Sequence, residues 1–299
     1  MIKRDLQDGT SLFILQEDHA DLAAQFAAHW GNERFAKLEP YESMVFAGIY
    51  HDSDHRETEA DIPIDSEKGL PHGHRTVPFS PKKIVALSQN IDWVSARDPY
   101  AGLIVSMHHT GLAQSRYNLI QSWQTGYGTA APRKRIRPEM EATVKTLEAS
   151  QQEQLDRLER IGKDSSHHVW ANYRIFQVFD LLSLYFCCDG YEADGSMKAV
   201  RITPVPTAYD SEKEVELHII PSDSQSVRID PYPFDVSPLS IAVMGRVMSG
   251  DPGKSEAASR LAFHKADRRL LSWEVMSASE AAPVRVGDES ELPDKRVGR

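Results

Sequence analysis

The sequence is poor in the features that would settle several common functions at once. It holds only two cysteines in 299 residues. They are neighbours, Cys187 and Cys188, at the end of an apolar run. Adjacent cysteines rarely bridge each other, so they read as buried free thiols in a reducing compartment. No C-x-x-C, G-x-S-x-G or Gly-rich phosphate loop occurs, which leaves zinc-ribbon, serine-hydrolase and nucleotide-loop kinase readings without support. No run approaches the roughly 20 apolar residues of a membrane helix. The basic start Met1-Ile2-Lys3-Arg4-Asp5 has no apolar stretch behind it, so no signal peptide is expected and the chain reads as cytoplasmic. Positive charge is in the minority, with 34 Lys and Arg against 44 Asp and Glu and a formal net charge of -10. That balance argues against general nucleic-acid binding. There is no internal repeat.

What is present is ordinary for a water-soluble globular protein: 40% hydrophobic and 26% charged residues. Residues 1–15 read as a hairpin around Asp8-Gly9. Asp18 is expected to cap a first helix that runs to about Trp30, and Pro40 to open a second that ends at His51-Asp52. Residues 57–80, with Pro63, Gly69, Pro71, Gly73 and Pro78, form a long loop of the kind that is usually functional. Ser80-Pro81 and Asp98-Pro99 are two helix starts with a cap and a first-turn proline. A charged helix over 139–160 follows the basic connection Arg133-Lys134-Arg135-Ile136-Arg137. A nearly all-apolar helix over 168–188 belongs at the centre of a bundle, with Gly190 ending it. From residue 196 the texture changes to short β-type runs at 199–205, 215–220, 227–229, 241–247 and 270–275, separated by Pro, Asp and Ser. The expected division is a helical domain over 1–195, a β-rich subdomain over 196–277 and a disordered tail over 278–299.

Against this background, apolar helices carry polar groups where a purely structural design would not want them. His19 sits in the first turn of the first helix. His51 and Asp52 end the second, His108 and His109 interrupt an apolar run, and Asp180 lies in the middle of residues 176–186. An unpaired buried carboxylate costs several kcal/mol or takes up a proton. A cation or a full set of donors would remove that cost. Imidazole and carboxylate together suit hard or borderline divalent metals. Each residue alone has a bland reading, a surface histidine or an aspartate bonded to a nearby side chain. The ordered set, His, His-Asp, His, Asp on successive helices, favours a metal site.

This order resembles the HD superfamily of helical metal-dependent phosphohydrolases. The chain is also similar to a bacterial family without an assigned activity, the DUF3891 family, over roughly residues 1–250. The matching stretches are Gln16-Glu17-Asp18-His19-Ala20, His51-Asp52, residues 106–112 around His108-His109, residues 180–187 from Asp180, and Asp230-Pro231-Tyr232-Pro233-Phe234. The resemblance implies a mainly α protein, an HD-domain-like helical bundle with an N-terminal hairpin and a β-rich C-terminal appendage, α+β overall. It implies a primary metal shell of His19, His51, Asp52 and Asp180. His108 would be a further ligand or a catalytic contact beside Asp52. In the loop Pro71-His72-Gly73-His74-Arg75, His74 or His72 would join His108 if two ions are bound. Arg56, Arg75 and His109 are expected to contact substrate. The cofactor would be one or two divalent ions, Mn, Fe, Zn, Ni or Mg, and the partner a small phosphorylated or anionic substrate, not a membrane. Asp54 and His55 stand where HD signalling phosphodiesterases carry a lysine, which disfavours cyclic-dinucleotide chemistry. The expected function is therefore metal-dependent hydrolysis of a phosphate ester. A di-iron oxygenase on the same fold and a non-catalytic binding module are the alternatives.

Overall fold

The computed structural model describes residues 1–53, 61–114, 138–160, 166–209, 213–251, 253 and 255–279. A hairpin, β1 (Ile2–Asp5) and β2 (Ser11–Ile14), opens the chain. Its turn is closed by Asp8, whose Oδ1 accepts from the Thr10 backbone N–H at 3.0 Å. Two helices follow, α1 (Gln16–His29) and α2 (Tyr41–Tyr50). Asp18 lies inside the first turn of α1 and is not its cap; with Glu17 it places negative charge at the positive end of the helix dipole. A two-stranded ribbon, β3 (Ile64–Asp65) and β4 (Leu70–Pro71), stands in the region read as loop. Helices α3 (Pro81–Arg97) and α4 (Pro99–Ala113) begin where the sequence placed them. Ser80 Oγ accepts from the Lys82 N–H, and the Asp98 carboxylate from the Ala101 N–H. Helix α5 (Pro138–Arg160) and helix α6 (Ser166–Leu184) complete the helical layer, and α6 runs on into one π turn, Tyr185–Asp189.

Strands β5 (Val200–Pro206), β6 (Glu214–Pro221), β7 (Ser226–Asp230), β8 (Leu239–Met248) and β9 (Arg268–Ser277) occupy the second half, with helix α7 (Glu256–Lys265) before the last. The sequence reading had no helix at α7, although Ser255 caps it through the Ala258 N–H. The strands join the N-terminal hairpin in one seven-stranded sheet of order β1-β2-β8-β9-β7-β6-β5. All its pairings are antiparallel except β7 with β9. Inward positions alternate along the strands, as in Leu239, Ile241 and Val243 on β8 and Leu217 and Ile219 on β6.

The expectation of a mainly α, HD-like helical bundle with a β-rich appendage is therefore wrong. Of the described residues 47% are helix and 24% strand, and the sheet is a curled, mixed half-barrel. Periodicity shows which face of a strand is buried but not which strand it pairs with, and β2 meets β8 across more than 200 residues of chain. A hydrophobic core runs from the helices into the sheet, joining Phe26 of α1, Trp30 just after it, Phe179 of α6, Phe234 and Trp273. Phe26 stacks on Phe186 and Phe234 with centroids 5.9 and 5.6 Å apart.

Helix α1 is tied to the sheet by a side chain that imitates backbone. β2 covers β8 only near its end, so the middle of that edge offers unpaired main-chain groups. Gln25 satisfies them: its Nε2 donates to the Ala242 carbonyl at 2.9 Å and its Oε1 accepts the Ala242 N–H at 3.0 Å. Helices α1 and α2 meet closely at Gly48, where a Cβ would stand 2.9 Å from Ala24 Cα. Gly190 ends the π turn at φ -79, so it serves close approach and not a left-handed cap; a Cβ there would lie 2.6 Å from the Tyr185 ring. No helix among the described residues is long and apolar enough to cross a membrane.

Two outcomes follow from this packing. Gly48→Val should destabilise the protein by about 1–3 kcal/mol, because backbone stands in the way of the new methyl groups; a lower urea midpoint at unchanged m-value would register it. Ending the chain at residue 250 removes β9 from the middle of the sheet. That truncated chain should be recovered only as insoluble or protease-sensitive material.

Candidate metal centre

The centre lies where α1, α2, α4 and α6 converge. Helix α2 passes without a glycine cap into His51-Asp52, so its last carbonyls need other donors. Asn90 of α3 donates to the carbonyls of Tyr50 and His51, at 3.0 and 3.3 Å. His109 of α4 donates its Nε2–H to the same His51 carbonyl at 3.0 Å. The helix end is thus held from two sides, and the side chains of His51 and Asp52 are fixed by their backbone.

Asp180, 4% exposed, projects from α6 into the same space. His19 Nε2 stands 3.0 Å from Asp180 Oδ1, and His51 Nε2 3.6 Å from that oxygen. Asp52 Oδ2 lies 3.8 Å from each of the two Nε2 atoms, and its Oδ1 lies 4.0 Å from His108 Nε2. Two groups of three donors therefore overlap, His19, His51, Asp180 and His51, Asp52, His108, each with its ligand atoms within 4.8 Å of one another.

The tautomers are set from outside the centre. His51 Nδ1 faces the Gly48 carbonyl at 2.8 Å, an acceptor, so that nitrogen carries a proton. His51 Nε2 is left buried with no hydrogen-bond partner among the described residues, aimed between the two carboxylates. Ser183 Oγ donates to the Asp180 carbonyl at 2.7 Å and takes the Nδ1–H of His19 at 2.8 Å, so the other nitrogen of His19 also points inward. Gln16 Nε2 donates to Asp52 Oδ2 at 2.8 Å. This is the outer-shell arrangement that orients imidazole and carboxylate ligands.

The charges agree. Burial alone would strip the proton from His51, but Asp52 and Asp180 outweigh it and lift its pKa to about 9. Burial would also raise Asp180, but the facing histidines hold it well below the usual carboxylate range. The two carboxylates thus draw positive charge to the space between these side chains. His108 and His74 are pushed down to about 3, mainly by burial, so both stay neutral at ordinary pH; burial lowers His109 as well.

A cavity of about 210 Å³ opens onto the centre. His19, Asp52, Asp180, His108 and His109 line it, so both adjacent histidines reach one cavity even though only His108 turns its Nε2 to Asp52. His74 also lines it, held by its backbone N–H on the Met1 carbonyl at 2.7 Å. His72 does not line it and makes a 3.4 Å contact with Thr76. Arg75 turns away to form an ion pair with the buried Asp189 of the π turn. Arg56, Asp54, His55 and residues 133–137 lie outside the described residues, as does most of the tail read as disordered. Gln16, Ser183 and Lys83 were not legible as site residues in the sequence, nor were the apolar lining residues Phe79, Leu87, Leu112, Met140 and Leu184. Ser183 carries a signal in hindsight, standing one turn from Asp180 on the same helix face.

Fold and centre together define an α+β protein with a buried His/Asp centre built on helices and backed by a mixed sheet. The chain belongs to the family described as protein of unknown function (DUF3891), whose model matches residues 1–250. No curated protein and no solved structure matches it.

The Arg75–Asp189 pair has a pH signature. Burial raises the Asp189 pKa above its ordinary 3.8 and Arg75 opposes that rise. A raised carboxyl pKa means stability that is complete below the unfolded value and lost as pH climbs through the folded one. In Arg75→Met the folded value rises further. Its deficit against wild type should be small at pH 4 and reach about 2–3 kcal/mol at pH 8, after allowing for the partial exposure of the arginine. Urea unfolding of both proteins at the two pH values measures it, and an equal deficit at both would refute the assignment.

Proposed function

We propose that this protein is a metal-dependent hydrolase of small phosphate esters, with a centre of the HD kind. The observation that carries the reading is His51 Nε2, a buried nitrogen without a hydrogen-bond partner among the described residues, directed between two buried carboxylates. The donor set suits a divalent ion: imidazole and carboxylate, oriented by Gln16, Ser183 and the Gly48 carbonyl. His19, His51, Asp52 and Asp180 would hold the ion. When bound, such an ion supplies Lewis acidity, polarising a phosphoryl oxygen and lowering the pKa of water.

The chain's own residues would do the rest. Gln16 fixes one oxygen of Asp52 and leaves the other turned to His108, so that these two side chains flank the cavity floor. His108, neutral at ordinary pH, can accept a hydrogen bond from water or substrate. His109 braces the His51 backbone, which assigns it to positioning more than to substrate contact.

A second reading has its own support. The group His51, Asp52, His108, with His74 lining the same cavity, offers donors for a second ion, and two irons there would suit oxygen chemistry instead.

The test is metal content. Protein from medium supplemented with Mn, Fe, Zn and Ni should retain one to two equivalents of divalent metal. His51→Gln and Asp180→Asn should retain less than about a tenth of that with an unchanged far-UV spectrum. Ser183→Ala, which frees the ring of His19, should weaken metal binding about tenfold. Metal-dependent cleavage of p-nitrophenyl phosphate should vanish in the first two variants. No retained metal, together with no change in melting temperature on adding any of the four ions, would sink the proposal. Stoichiometric iron with an oxygen-dependent colour change would favour the oxygenase.

A further inference from the structure

The cavity combines two chemistries. Its floor is the His/Asp centre. Its wall is apolar, made by Phe79 before α3, Leu87 of α3, Leu112 of α4, Met140 of α5 and Leu184 of α6. Five separate segments thus each present a hydrocarbon surface to one space. Lys83, one turn before Leu87 on α3, is the one lysine or arginine lining the cavity among the described residues.

These features restrict what fits. A sugar or other hydroxyl-rich body would bury its hydroxyls against five apolar side chains and lose its hydrogen bonds to water without replacement. A compact hydrocarbon or aromatic body would gain from the same wall. An anionic head would meet the cation that the floor holds and the ammonium of Lys83, which lines the same cavity. The volume of about 210 Å³ matches a head group with a body of about ring size, and is below the range usual for drug-sized ligands.

Resting on the hydrolase reading for the identity of the floor, we propose that the substrate is a small amphipathic anion, a phosphate or phosphonate on a compact apolar body, with the wall of Leu87 and Leu112 selecting the body and Lys83 holding the anion.

The probes are phenylphosphonate, hydroxymethylphosphonate and inorganic phosphate, titrated calorimetrically into wild-type protein whose metal content has been measured. Phenylphosphonate should bind at least tenfold more tightly than either of the others. Leu87→Gln and Leu112→Gln, both at partly exposed positions, should each cut that preference to less than threefold and leave phosphate affinity as it was. Lys83→Gln should weaken phenylphosphonate and phosphate alike, by about tenfold, with metal content unaltered. Equal affinities for the three probes in metal-loaded protein would overturn the inference and leave the metal centre standing. So would no binding at all, or a ring preference that survives both leucine substitutions. A ring preference in protein that retains no metal would support the selective wall while removing the hydrolase reading.

Discussion

Two carboxylates buried in an apolar helical shell are the constraint around which this protein is arranged. Asp52 and Asp180 are 7% and 4% exposed and approach the same histidine nitrogens. Burying them as charges is tolerable only if positive charge or hydrogen-bond donors meet them. The histidines and Gln16 meet that demand, and Ser183 of α6 holds the ring of His19 in place for it. A shift of any of the helices that carry these residues would leave a charge uncompensated, so the geometry of the centre and the packing of the helices are one problem.

The sheet supplies the rigidity on which that solution depends. Gln25 pins α1 to β8 by pairing with Ala242 as a strand residue would. Phe234, carried by the segment after β7, sits between Phe26 and Trp30, while Asn32 binds the carbonyls on either side of Pro233. The stretch Asp230-Pro231-Tyr232-Pro233-Phe234 is therefore a mechanical link between sheet and helices, distant from the chemistry. The Arg75–Asp189 pair joins the loop that carries His74 to the π turn after α6 in the same way.

The family match ends at residue 250, yet β9, beyond it, lies between β8 and β7 in the sheet. A segment outside the matched stretch thus completes the frame. The cavity combines His and Asp residues whose order along the chain is distinctive with hydrophobic residues that no motif marks.

Much of the local structure was legible in the sequence, because short-range chemistry decides it. Asp8-Gly9 makes a turn wherever it stands between strands, and Ser80-Pro81 and Asp98-Pro99 start helices because their side chains reach backbone N–H groups two or three residues on. The five C-terminal strands were visible through their β-branched runs. The set His19, His51, Asp52, His108 and Asp180 could be proposed because buried charge in an apolar run is anomalous in any fold. The pairing of β2 with β8 was not legible, nor was the core that helices and sheet share in place of a bundle with an appendage. Those depend on contacts between residues far apart in the chain, which periodicity does not encode. The dipeptide His51-Asp52 shows the division. Its residue types announced a centre, but only the tertiary structure decided that Gly48 and Asn90 would orient it, that Arg75 would turn away to Asp189, and that Lys83 would face the cavity.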